Sequence, residues 1–269
     1  MMRLAAVLAL AAVTLVAAPA AAERVYDLGS EAPVAGHKTW HDLLTQLFSD
    51  LRQEPQKDGK MGSVIHGNVD LRPIDKDGYG DCGAGGPLQI EYLEYAYAEI
   101  SGKARLIVGI TTDHGACFGA LALFDALEVK LLDTANIQQD THYTYGPDFA
   151  RRLGVDGQLV VADSFHLNSD GSFNNLVLVL VTADRLSLID NVNADSEWDC
   201  DHHRRIAEEP YVVVTPDYGR FDRITGYIKR TVEPVGGDCR TPTGNPKVTI
   251  SRTDWRWDAV KKAYRKVSP

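Results

Sequence analysis

The sequence predicts a mainly β chain: a sandwich or an incomplete propeller-like meander, with an amphipathic helix near its N-terminus. Three observations carry this. Short apolar runs rich in branched residues recur beyond position 90, each too short for a typical buried helix. Residues 176–181 (LVLVLV) and 185–190 (RLSLID) flank Ala183-Asp184, the pattern of a hairpin. Helical spacing is clearest in one early segment.

Residues 1–22 come first. Arg3 precedes an apolar run from Leu4 to Ala18, and Ala20 and Ala22 form an A-x-A exit. This is the pattern of a cleaved export signal, with the mature chain starting near Glu23. The run is shorter than the ~20 apolar residues of a membrane span; an uncleaved anchor is the competing reading. Residues 23–269 then form a single predominantly β domain, large enough to bury a core.

Residues 23–38 read as an irregular lead-in. From Thr39, Trp40, Leu43, Leu44, Leu47, Phe48 and Leu51 recur at helical steps, giving an amphipathic helix of about 14 residues. Thr39 is placed to cap it, with Asp42 three residues on. Residues 50–62 are charged and break the pattern. Strands are expected at 105–111, 158–162, 176–181, 185–190, 211–215, 224–232 and 248–251. Ser169-Asp170-Gly171 marks a turn, so the strands around 165, 176 and 188 should form a meander. Residues 118–132 fit either a helix face or two strands broken near Asp125; strands agree better with their neighbours. No internal repeat of fixed period is evident, which argues against a complete propeller.

The mature chain carries 27 basic and 37 acidic residues, a net charge of −10. Such a balance disfavours nucleic acid and anionic lipid as partners. After the signal no apolar run approaches membrane-spanning length, so a soluble periplasmic or secreted protein is expected. Four cysteines, Cys82, Cys117, Cys200 and Cys239, allow three pairings in an oxidising compartment. Cys82–Cys117 with Cys200–Cys239 closes two loops of modest length. Tetrahedral zinc is the rival use, without a C-x-x-C spacing to support it.

The sharpest motif is Asp75-Lys76-Asp77-Gly78-Tyr79-Gly80-Asp81. Alternate carboxylates and a turn glycine suit a hard cation. The segment resembles the calcium loops, D-x-D-x-D-G-x-x-D, of FG-GAP and VCBS-type exported bacterial β proteins. Asp75, Asp77 and Asp81 match the last three acids and Gly78 the glycine, while Pro73 stands at the first acid. The resemblance implies calcium at Asp75, Asp77 and Asp81. Trp255-Arg256-Trp257-Asp258, followed by Tyr264, resembles the closing W-x-[WY]-D-G-x-x-Y hairpin of exported bacterial β proteins.

A second candidate metal set joins Asp113, His114, His142, His166, Asp201 and His202, since imidazole with carboxylate suits transition metals. Asp140 and Asp163 lie beside these histidines. Solvated or backbone-bonded side chains are the plainer reading. No H-E-x-x-H helix, nucleophile elbow, phosphate loop or dinucleotide fingerprint is present. Residues 190–201 read as a second acidic loop tied down by Cys200. The sequence therefore points to an exported binding or interaction protein, its partner a protein or small molecule and calcium its one candidate cofactor. A metal-dependent hydrolase and an inhibitor or immunity-type protein are the alternatives.

Overall fold

The computed structural model describes residues 23–55, 61–67, 69, 71–75, 87–112, 118–137, 142–167, 171–217 and 219–267. The first sheet holds β1 (Glu23–Val25), β2 (Leu51–Pro55), β3 (Met61–Ile65), β4 (Leu88–Ile100), β5 (Lys103–Thr112), β6 (Ala120–Asp125) and β7 (Lys130–Asn136). The helix α1 (Trp40–Leu44) lies between β1 and β2 in the chain. The second sheet holds β8 (His142–Arg152), β9 (Gln158–Leu167), β10 (Gly171–Val181), β11 (Leu186–Asp199), β12 (Arg204–Thr215), β13 (Arg223–Pro234), β14 (Lys247–Asp258) and β15 (Ala263–Val267). Each sheet is an antiparallel meander in chain order; β1 alone is off the path, pairing with β4 beyond the end of β3.

Three apolar layers hold the strands together. The first packs the lead-in against the first sheet: Leu28, Trp40, Leu43, Leu44 and Phe48 meet Leu93, Leu106, Val108 and Phe124. The second lies between the sheets, with Ile107, Leu121 and Leu123 against Val160, Val177 and Val179. The third exists because the second sheet curls over. β11 pairs with β12 only from Glu197 to Asp199, opposite Ile206 to Arg204. Past that point β12, β13 and β14 lie across the back of β9 and β10, where Val212, Ile224 and Trp255 meet Leu159, Leu176, Leu178 and Leu180. The pleat of β10 thus sends Val177, Val179 and Val181 into one layer and the three leucines into another. Burying each such side chain stabilises by about 1.5–3 kcal/mol.

Polar ties fix the layers' alignment. Arg105 is buried, and its guanidinium reaches Asp125 in the first sheet and the Ala183 carbonyl in the second. Asp133 accepts from both Arg72 Nη2 at 2.9 Å and Leu186 N at 2.8 Å. Tyr145 crosses from β8 and donates its hydroxyl to the Ala120 carbonyl at 3.0 Å.

The strands expected at 105–111, 158–162, 176–181, 185–190, 211–215, 224–232 and 248–251 all form, and 118–132 divides at Asp125 into β6 and β7. The helix is much shorter than its periodicity implies. Thr39 does form the capping box with Asp42, but α1 has five residues. Gln46 is drawn onto the β6–β7 turn, donating to Val129 O and accepting from Leu131 N. The chain continues as turns, and Phe48 and Leu51 still reach the first layer. Residues 50–62 are not simply a break, because β2 and β3 pair across them. Among the described residues no helix is long and apolar enough to cross a membrane.

Candidate interaction face

The antiparallel order brings the start of β8, the end of β9 and the β11–β12 turn to one end of the second sheet. Asp75, at the end of a segment that bridges to β7, accepts from Asn191 Nδ2 at 2.8 Å. His142 pairs with Phe165 and His166 with Phe173 in the strand register. Asp201 and His202 sit in the turn between β11 and β12, where His202 Nδ1 lies 2.8 Å from Asp199 Oδ1. Arg204 Nε takes the other oxygen of Asp199 at 2.6 Å. These bonds hold Asp199 below the usual carboxylate range, the His202 contact contributing most. Asp77, Asp81, Cys82, Asp113, His114 and Cys117 lie outside the described residues. Among the described residues no three His, Cys, Asp or Glu side chains gather as a metal site.

Cys200 and Cys239 form a disulfide with their Cα atoms 5.3 Å apart. The acidic segment 190–201 is not a loop. Most of it is β11, with Val192 and Ala194 buried in alternation with polar neighbours. Asp190 accepts from Trp255 Nε1 at 2.8 Å and pairs with Lys266 at 2.7 Å. Asp190 and Asp199 are thus bonded to the wing of strands β12–β15.

The most exposed apolar surface of this half of the molecule lies on that wing. Its inner positions, Val212, Ile224 and Trp255, are committed to the third layer. The period of two then turns their neighbours outward. Val213 pairs with Thr225, Tyr211 with Tyr227, and Glu209 with Lys229; Ala207 pairs with Thr231. β14 continues these rows with Asp254, Arg252, Ile250 and Val248. Tyr211 and Val213 are each 42% exposed, Val248 51% and Ile250 60%. The rings of Tyr211 and Tyr227 stack at 4.9 Å and 17°. At the far end Trp198, itself 39% exposed, lies under the Arg205 guanidinium at 4.5 Å. From Arg205 to Val213 the face is about 27 Å long, at ~3.4 Å per residue. Exposed apolar side chains gathered on one sheet face mark interaction sites.

Charge separates along the chain. Residues 223–267 hold eleven basic and four acidic side chains, a net charge of +7, and the remainder carries −16. Part of the excess is paired: Lys229 with Glu209 at 2.9 Å, Arg230 with Glu208 at 3.4 Å, and Arg252 with Asp254 at 2.8 Å. Lys247, Arg256, Lys261 and Lys262 have no ion pair among the described residues. Local pattern declares the strands here but not the face, because the layer that leaves Tyr211 and Ile250 outside is a tertiary fact. The readable signals were an apolar run on both parities at 211–214, Val248 and Ile250 between polar neighbours, and the basic skew.

The predicted closing hairpin is present: Trp257 pairs with Tyr264, and Phe221 packs on Trp257 with ring centroids 4.0 Å apart. Tyr264 donates to the Asp222 carbonyl at 2.6 Å, and burial pushes its hydroxyl far above the ordinary tyrosine range. These aromatics close the core. No protein-family model matches the chain, and no curated protein matches it.

Proposed function

We propose that this chain is an exported binding protein that engages another polypeptide through the outer face of β12, β13 and β14. The observation that carries the reading is the stacked Tyr211–Tyr227 pair, on the same sheet face as the exposed Val213, Val248 and Ile250. Aromatic anchors with aliphatic and charged neighbours are the composition of protein interfaces. Export is supported by Arg3, the apolar run and the Ala20-x-Ala22 exit. Calcium at Asp75, Asp77 and Asp81 belongs to the same reading as a stabilising ion, supported by the alternating acids and the turn glycine.

The test is site-directed photo-crosslinking in the producing cell. A photoreactive side chain at position 213 or 250 should trap a partner of defined mass. The same group at Tyr97 or Leu127, exposed on the first sheet and its β6–β7 turn, should not. Tyr211→Ser with Tyr227→Ser should abolish the adduct without lowering the melting temperature by more than a few degrees. Equal trapping from both surfaces, or none from either, refutes the assignment of this face.

A further inference from the structure

We propose that the free edge of β14, residues 247–252, is the docking line for an acidic polypeptide segment, which adds to the wing as a further strand. This rests on the reading of the wing as an interaction face and names the partner's chemistry.

Three observations converge on the edge. First, β14 pairs with β13 from Lys247 to Trp255 without a register shift, while β15 covers only Asp254 to Asp258. Along residues 247–252 one side of the ladder therefore has no strand beside it among the described residues, and every residue there is exposed. A regular edge is a template for another strand, and proteins ordinarily blunt such edges with bulges, prolines, lysines or inward charges; here Lys247 stands only at the start of the edge, and residues 248–251 carry no charge. Within β14 there is no proline, and Pro246 immediately precedes it.

Second, the side chains suit strand addition. Val248 and Ile250 alternate with Thr249 and Ser251, and the apolar pair continues the Tyr211–Tyr227 face. In strand addition main-chain bonds supply affinity and alternate side chains supply specificity. An incoming strand would lay every second side chain beside Val248 and Ile250.

Third, the sign of charge selects the occupant. Lys247 at the edge has no ion pair among the described residues, and residues 223–267 carry +7 against −16 for the remaining chain. An acidic strand is steered to this edge and held off elsewhere. A second copy would bring the same basic edge to face this one, so an acidic segment of another protein fits better.

The probe is a synthetic ten-residue peptide of alternating valine and threonine with aspartates at both ends, labelled for fluorescence anisotropy against the full mature chain. It should bind at least tenfold more tightly than the same peptide with lysines for aspartates, and that ratio should fall as salt is raised. N-methylation of alternate backbone amides in the peptide, in one of the two possible sets, should abolish binding with the protein unaltered. Ile250→Lys should weaken binding at least tenfold. Three results overturn the inference: equal binding of both peptides, binding insensitive to both N-methyl sets, or binding of anionic lipid vesicles or heparin without the peptide. A dimer in sedimentation that Ile250→Lys dissolves would give the edge to a second copy and overturn it as well. If crosslinking at positions 213 and 250 succeeds while the peptide fails, the face stands and only the strand docking falls.

Discussion

Trp255 on β14 donates its indole N–H to Asp190 on β11 at 2.8 Å, joining residues 65 apart in sequence. The ring itself is almost wholly buried in the third layer, and Lys266 pairs with the same carboxylate oxygen. One side chain thus fastens the wing to the body by packing and by a charged hydrogen bond. Trp255→Phe should cost about 1.5–3 kcal/mol through the lost bond to a charged group and the smaller ring. Trp255→Ala should cost about 3–5 kcal/mol. Chemical denaturation measures both. Because the wing carries the proposed face, Trp255→Phe should also weaken partner trapping from position 250.

Gly109 on β5 makes room for Tyr145 from the opposing sheet. A Cβ at position 109 would stand 2.2 Å from the Tyr145 ring. The ring is pinned by its bond to Ala120 O and by an edge contact with Phe149 at 4.7 Å, so it has little freedom to retreat. Gly109→Ala should therefore destabilise by about 1–3 kcal/mol, the usual cost of overpacking. Tyr145→Leu in the Gly109→Ala background should recover part of that loss. A cycle of the two substitutions by thermal unfolding reads the coupling, and strict additivity would show that the ring yields.

The β architecture was legible where a segment's local pattern and its tertiary role coincide. The run at 176–181 declared a strand by its length and branched residues, although alternation was hidden because valines and leucines are buried in different layers. The segment 39–51 misled for a related reason. Successive turns placed Trp40, Leu43, Phe48 and Leu51 in one layer, which reproduces helical spacing without a long helix. Residues 190–201 looked like a loop because their acids outnumber their apolar residues. Val192 and Ala194 reveal the strand only once Asp190 is seen to be satisfied by Trp255 and Lys266. The face on β12–β14 needed the curl of the second sheet, which no local pattern encodes.

The Cys200–Cys239 bridge closes a sequence separation of 39 and ties the β11–β12 turn to the segment after β13. Constraining the unfolded chain by such a loop typically contributes about 2–4 kcal/mol. The Cys200→Ser, Cys239→Ser protein should lose stability in that range. It should still fold, because Val235 N donates to His203 O at 2.8 Å and holds the same junction. Non-reducing peptide mapping checks the linkage and denaturant unfolding checks the cost. The same mapping decides the expected Cys82–Cys117 pair.

Calcium is expected to stabilise the chain through Asp75, Asp77 and Asp81. Carboxylates held close together repel until a cation neutralises them, and binding to the folded state alone raises stability by mass action. At about 100 times the dissociation constant the gain is ~2.7 kcal/mol. Asp77→Ala should remove most of it. Thermal unfolding in several millimolar calcium and in chelator compares the two, and an unchanged midpoint makes the segment an ordinary turn.

Asp163 on β9 sets a pH dependence of opposite sign to that of the surface carboxylates. Burial raises its carboxyl above the ordinary aspartate value, and a hydrogen bond from Asn174 only partly opposes this. Its Oδ1 and Asn174 Oδ1 are both buried without a hydrogen-bond partner among the described residues. Below the unfolded-state value of about 3.9 both states hold the proton and the group costs nothing. As pH rises from there to the raised folded value, the unfolded chain releases its proton while the folded chain keeps it, so stability falls across that window and stays lower above it. Asp238 acts in reverse: bonds from the Thr241 hydroxyl and from the Thr241 and Arg240 amides hold it at about 2, so its contribution is present above the ordinary range and lost on acidification. Subtracting one variant from the wild type isolates Asp163. Asp163→Asn cannot ionise, keeps an acceptor for Asn174 and offers Asn174 Oδ1 a donor. It should be more stable than the wild type near pH 7, with the advantage shrinking as pH falls toward 4. Urea unfolding at several pH values gives the difference directly, and a difference independent of pH would mean that Asp163 is ionised as freely in the folded chain as in the unfolded one.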